Sequence, residues 1–173
     1  MFFEKTRQNN KKTKTNNEHK QQVISMKLTI ELVPQTAWNK SLAQTLLRNI
    51  WNTIRENHIQ ENGKKCEICD QINGIFNLHE VWNYDDINHI QKLERFILLC
   101  TMCHHVKHIG LAQILASQGK LNLDEVINHF CKINNCTEKD FQQYKREVFL
   151  IWNQRSQHTW KQDFGRYEQY FRK

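Results

Sequence analysis

Two cysteine pairs of identical spacing, Cys66-Glu-Ile-Cys69 and Cys100-Thr-Met-Cys103, constrain this chain more than anything else in it. Each pair sets two sulfurs on one side of a tight turn, and two such knuckles can close a tetrahedral thiolate site around one zinc ion. The knuckles are 30 residues apart, so the chain between them must leave the ion and return to it. Six cysteines, four of them in such pairs, favour metal ligation over a disulfide framework where no secretory segment is seen. Cys131 and Cys136 lack a second pair and read as core thiols.

Histidines form a second pattern. His104 and His108 lie four apart on what reads as a helix, so they share a face, and His79 closes a strand upstream. These three offer a second metal position beside the first. His105 is turned about 100° from His104 and reads as solvent-facing or as a substrate contact. His58, His89, His129 and His158 belong to no such pattern and read as ordinary polar positions.

At 173 residues the chain fits one domain with appended helices. Its longest apolar runs, such as Phe96-Ile-Leu-Leu-Cys100, are far too short to cross a bilayer. Residues 1–25 are rich in Lys, Asn, Gln and Thr and read as a disordered basic tail, with Met26 as a candidate native start. The tail holds six basic and two acidic residues, so only +3 of the net +7 belongs to the rest of the chain. Bulk charge is therefore weak support for a nucleic-acid partner.

Periodicity predicts the elements. Lys27 to Val33 alternates apolar with polar residues and reads as a short strand. Trp38 to about Gln60 has helical spacing in one helix or two, ended by Gly63 at a left-handed cap. Gly74–Trp82 and Leu93–Leu99 read as an antiparallel pair around a long loop. A helix from about Met102 to Ser117 follows, then Asp124–Ile133 and a helix from Thr137 to about Arg155, whose Thr137-x-x-Asp140 is close to a capping box. Trp152, Trp160, Tyr167, Tyr170 and Phe171 fall at helical spacing and read as core packing rather than base-stacking groups.

The order knuckle, His-ending strand, strand, knuckle, His-bearing helix resembles the HNH endonucleases of the ββα-metal (His-Me finger) group. The likeness runs from Arg48 to Gly110 and includes His79-Glu80-Val81-Trp82 and Cys103-His104-x-x-x-His108. It implies an α+β fold: a zinc-stabilised ββα-metal finger core over residues 26–120, with an N-terminal helix and a C-terminal helical extension over 121–173. It also implies a structural Zn2+ on Cys66, Cys69, Cys100 and Cys103, and a catalytic Mg2+, Mn2+, Ni2+ or Zn2+ on His79, His104 and His108. Two departures stand out. Glu80 occupies the place where the family has its general-base histidine, and Arg95 stands where the family has its asparagine.

Three roles stay open for Glu80: catalytic base, metal ligand, or structural partner of a zinc-site histidine. If Glu80 is not the base, His79 is. Arg95, Lys107 and His105 are the candidate nucleic-acid contacts. The resemblance implies a metal-dependent endonuclease acting on double-stranded DNA. Paired cysteines without a secretory segment point to the cytoplasm, with nucleoid association when bound to DNA, and the C-terminal helices either form a homodimer contact or complete the core. Two alternatives remain: a catalytically impaired zinc-stabilised module that binds nucleic acid or protein, and an RNA-directed nuclease.

Overall fold

The computed structural model describes residues 26–171, and the tail assigned to residues 1–25 lies outside the described residues. Its architecture is mixed α+β. Helices α1 (Leu42–Thr45) and α2 (Arg48–Asn62) precede the antiparallel pair β1 (Phe76–Asp85) and β2 (Ile90–Cys100). Then come α3 (Thr101–Lys107), α4 (Ile109–Ser117), α5 (Leu123–Asn134), α6 (Glu138–Arg155) and the short strand β3 (Lys161–Asp163). No helix among the described residues is long and apolar enough to cross a membrane.

β1 and β2 pair from Phe76↔Cys100 to Asp85↔Ile90, with a bulge at Val81/Trp82 where Glu94 is the extra residue of β2. The hairpin is tighter than its sequence suggests. Asp85 Oδ1 accepts the N–H groups of Ile87 and Asn88, both at 3.0 Å, which folds the expected long loop into a short turn. β3 runs parallel to β2 from Ile90↔Lys161 to Lys92↔Asp163, leaving β1 as an edge of the sheet.

Three expectations need correction. Lys27–Val33 is not a strand. Leu28 and Ile30 are buried as the alternation requires, but the backbone bonds to helices instead of to a sheet edge. Leu28 N–H donates to Asn134 Oδ1 (3.0 Å), Ile30 N–H to the Tyr144 hydroxyl (3.1 Å), and Glu31 N–H to the Lys107 carbonyl (2.9 Å). That last bond explains the second correction: the helix expected over 102–117 breaks at His108 (φ −102, ψ 47). The Lys107 carbonyl serves Glu31, so the i→i−4 ladder is interrupted there.

Third, the helical spacing of the aromatics from Trp152 to Phe171 does not belong to one helix, since α6 ends at Arg155 as expected. Trp160, Phe164 and Tyr167 turn onto the sheet, meeting Tyr84 (5.2 Å), Trp82 (5.5 Å) and Phe96 (5.3 Å), whereas Tyr170 and Phe171 stay exposed. Elsewhere the pattern holds. Gly63 caps α2 at φ 82, and Thr137 with Asp140 forms a complete capping box on α6. One apolar core runs through the sheet, α3, α5 and α6, where fully buried Phe130 meets Phe141 at 5.0 Å and Tyr144 at 5.7 Å.

Candidate functional site

The first knuckle sits between α2 and β1, and the second spans the junction of β2 and α3. Cys66 N–H donates to the Gln71 carbonyl (2.8 Å) and Asp70 N–H to the Cys66 carbonyl (2.9 Å), with Asp70 in the left-handed region (φ 61). Glu67 fastens this turn to β2. Its N–H donates to the Leu98 carbonyl (2.9 Å), while Oε1 accepts Leu98 N–H (2.6 Å) and lies 2.5 Å from His58 Nε2. On the other side, Cys100 caps α3, its Sγ accepting Cys103 N–H at 3.5 Å.

The four Sγ atoms lie within 4.8 Å of one another, and Cys69 and Cys100 are 3.6 Å apart. A tetrahedron with zinc–sulfur bonds of about 2.3 Å has edges of about 3.8 Å, so the cluster is compatible with a structural metal site. Crowded sulfurs compete for protons. Hydrogen bonds from Cys100 and Cys103 drive the Cys66 thiol down, and those from Cys103 to Cys100 and Cys66 drive Cys103 up. His129 Nε2 on α5 lies 3.1 Å from Cys103 Sγ, a contact with no counterpart in the sequence spacing.

The histidines converge beside this cluster. His79 on β1, His104 on α3 and His108 at the α3–α4 break each offer a nitrogen, all within 4.8 Å of one another. Ring centroids are 5.6 Å (His79–His104), 4.9 Å (His79–His108) and 4.6 Å (His104–His108) apart. Burial first, then the neighbouring rings, lowers His104 to about 3 and His108 to about 4. Both are therefore neutral near pH 7, the form in which imidazole binds metal.

Sequence reasoning missed Glu31. Its Oε2 lies 2.7 Å from His79 Nε2, and its Oε1 is bound to the Lys107 ammonium, which also donates to Thr29 Oγ1 at 2.8 Å. Burial opposes its ionisation, but the bond from His79 and the adjacent Lys107 hold Glu31 at about 2. A carboxylate on the far nitrogen of a ligating histidine fixes ring orientation and tautomer. No signal within residues 27–33 marks this role.

Glu80 and His79 point to opposite faces of β1, as neighbours on a strand do. Glu80 Oε1 accepts Ala43 N–H at the start of α1 (3.3 Å). Its burial outweighs the amides of Ala43 and Leu42 and raises it to about 7. Glu80 is outside the three-histidine group but lines the same cleft as those residues.

The candidate nucleic-acid contacts separate. Lys107 is buried and committed to Glu31 and Thr29, so it presents no charge at a surface, which corrects its expected role. Exposed Arg95 lines a smaller recess of about 330 Å3 with Lys27 and Thr29, apart from the cleft. His105 is half-buried and does not line the cleft.

Fold and site together define a mixed α+β protein carrying a four-thiol cluster and a three-imidazole cluster, joined where His104 follows Cys103 on α3. No protein-family model, curated protein or solved structure matches the chain.

Proposed function

We propose that this chain is an HNH-type endonuclease of the ββα-metal group, hydrolysing phosphodiester bonds with a divalent ion held by His79, His104 and His108. One observation carries the reading: a hairpin followed directly by a helix brings three imidazole nitrogens within 4.8 Å of one another. The cysteine cluster takes a structural Zn2+, for which four thiolates are the matching donor set. Three imidazoles suit Zn2+ or Ni2+ better than Mg2+, which prefers oxygen ligands.

A divalent ion there would neutralise phosphate charge and stabilise the leaving oxygen. Glu80 accepts the proton of the attacking water. A carboxylate raised to about 7 is far better matched to this work near neutral pH than an ordinary one. Glu31 keeps the His79 ring in place, and the bond from His79 together with Lys107 keeps Glu31 ionised. The amide bond from Ala43 favours a second reading, in which Glu80 only caps α1 and the chain is a non-cleaving zinc-held binding module.

Incubating Zn2+- or Ni2+-loaded protein with plasmid and with single-stranded DNA and RNA separates the two. Cleavage lost in His104→Ala and reduced at least a hundredfold in Glu80→Gln is the expected result. No cleavage with any divalent ion, or cleavage undiminished in His104→Ala, refutes the nuclease reading.

A further inference from the structure

The imidazole cluster opens onto a cleft of about 1210 Å3, walled by residues 30–44, β1, α4 and α6. That exceeds the roughly 300–1,000 Å3 of sites for drug-sized ligands, so it suits a polymer segment better than one small molecule. Its chemistry is unlike a duplex-binding face. Duplex DNA carries a charge about every 1.7 Å and is held through many Lys and Arg contacts. Among the described lining residues Arg155 is the only Lys or Arg, and it is committed to Asp86 by two bonds of 2.7 and 2.8 Å and lies 4.1 Å over the Tyr84 ring.

What the cleft offers instead is aromatic surface and uncharged hydrogen-bonding groups, including Trp51, Phe149, Asn39 and Gln113, besides the carboxyls of Glu80 and of Glu31, the latter already paired with Lys107 and His79. At its rim Trp38 is 52% exposed although it is held firmly. Its indole N–H donates to the Val33 carbonyl at 2.9 Å, and Trp152 donates to the same carbonyl at 2.9 Å. The two rings stack at 6.4 Å and 25°. A satisfied N–H and a stacked inner face leave the outer face of Trp38 as a rigid apolar platform. Unstacked bases bind such platforms whatever their identity, whereas paired bases present no faces to them.

We infer that the cleft takes a single-stranded nucleic-acid segment, its bases against Trp38 and the neighbouring aromatics and one phosphodiester at the three imidazoles. This rests on the nuclease reading of His79, His104 and His108 and specifies its substrate class. α6 thereby gains a role, since Trp152 and Phe149 wall the strand path.

The test is fluorescence anisotropy of the full zinc-containing chain with labelled mixed-sequence 12-mers, single-stranded DNA or RNA against duplex DNA, at about 150 mM salt without added divalent ion. At least one single strand should bind at least tenfold tighter than duplex. Trp38→Ala should weaken that binding about tenfold or more while leaving zinc content and helix content unchanged. Leu111→Glu, a charge at an exposed position of the rim, should weaken it as well. Duplex binding within tenfold of the tighter single strand, or an unaltered Trp38→Ala variant, overturns the inference. Because binding is read without cleavage, a chain that holds single strands but cuts nothing sinks the nuclease reading alone. A chain that cuts duplex without preferring single strands sinks this inference alone.

Discussion

Replacing Glu31 with Gln should damage stability and metal binding separately, and the two losses can be told apart. Glu31 neutralises Lys107, a buried ammonium whose other partner among the described residues is the Thr29 hydroxyl. Removing one member of a buried pair typically costs 3–5 kcal/mol, but Glu31 is 31% exposed, which places this pair near the low end at about 3 kcal/mol. Replacing both partners, as in Glu31→Gln with Lys107→Met, leaves no orphaned charge and should recover most of that loss. Metal affinity should not recover with it. His79 would still lack its charged orienting partner, whose loss from a histidine ligand typically weakens binding 10- to 100-fold. Urea unfolding reports the first quantity, and calorimetric titration of Ni2+ into protein retaining only its cysteine-bound ion reports the second. If the double variant is as unstable as Glu31→Gln, or binds Ni2+ like the parent, the assigned roles of Lys107 and Glu31 are wrong.

Cys103→Ser should remove one tightly held zinc per chain and unfold the hairpin–α3 junction, seen as lost metal by emission spectrometry and a transition shifted by several kcal/mol. Glu80 predicts two pH effects of opposite use. Its folded value, about 7, lies above the unfolded one, so without metal at the histidines its stabilisation is complete below about 4.5 and is lost as pH rises through 7. At roughly 1.4 kcal/mol per unit the loss comes to about 3.5 kcal/mol, and Glu80→Gln should flatten the stability–pH curve relative to the parent. Cleavage should rise as the carboxylate ionises, with a midpoint below 7 because the charge of the bound ion lowers the carboxyl's value; a parent and a Gln variant with the same pH–rate profile would exclude Glu80 as base. Phe130→Ala, at a fully buried ring packed on Phe141 and Tyr144, should cost about 3–5 kcal/mol by urea unfolding without changing zinc content.

Features legible in the sequence are those whose cause is local. The two knuckles, the His104/His108 spacing, the Gly63 cap and the Thr137/Asp140 box all depend on residues within four positions of one another, and each is present in the fold. Features it concealed have distant causes. The helix breaks at His108 because a backbone N–H from residue 31 takes the Lys107 carbonyl, and nothing between 102 and 117 records that. The alternation of Lys27–Val33 was real, but apolar alternation says only that one side is buried. It does not say whether the burying partner is a strand or, as here, Asn134 and Tyr144 on helices. β3 is Lys-Gln-Asp, with no apolar signature of its own; it exists because the chain passes alongside Ile90–Lys92. Glu31 was hidden for the same reason, lying 48 residues from the histidine it orients.

The segment from Lys27 to Val33 consequently does more than fill a groove. Through one peptide it ends α3, since Glu31 N–H claims the Lys107 carbonyl, and through the side chain of the same residue it braces His79. Ending α3 there gives His108 its non-helical backbone, and that turns its ring toward His104 and His79. Two of the three imidazoles are thus positioned by one residue outside the hairpin and helix that carry them. Two carbonyls further along, Val33 holds both Trp38 and Trp152 at the cleft rim. A change at Glu31 or Val33 should therefore act on the imidazole cluster or the aromatic rim while sparing the cysteine cluster, which is fastened through Glu67, Leu98 and His58 and meets this segment at the exposed Lys27–Asp70 pair.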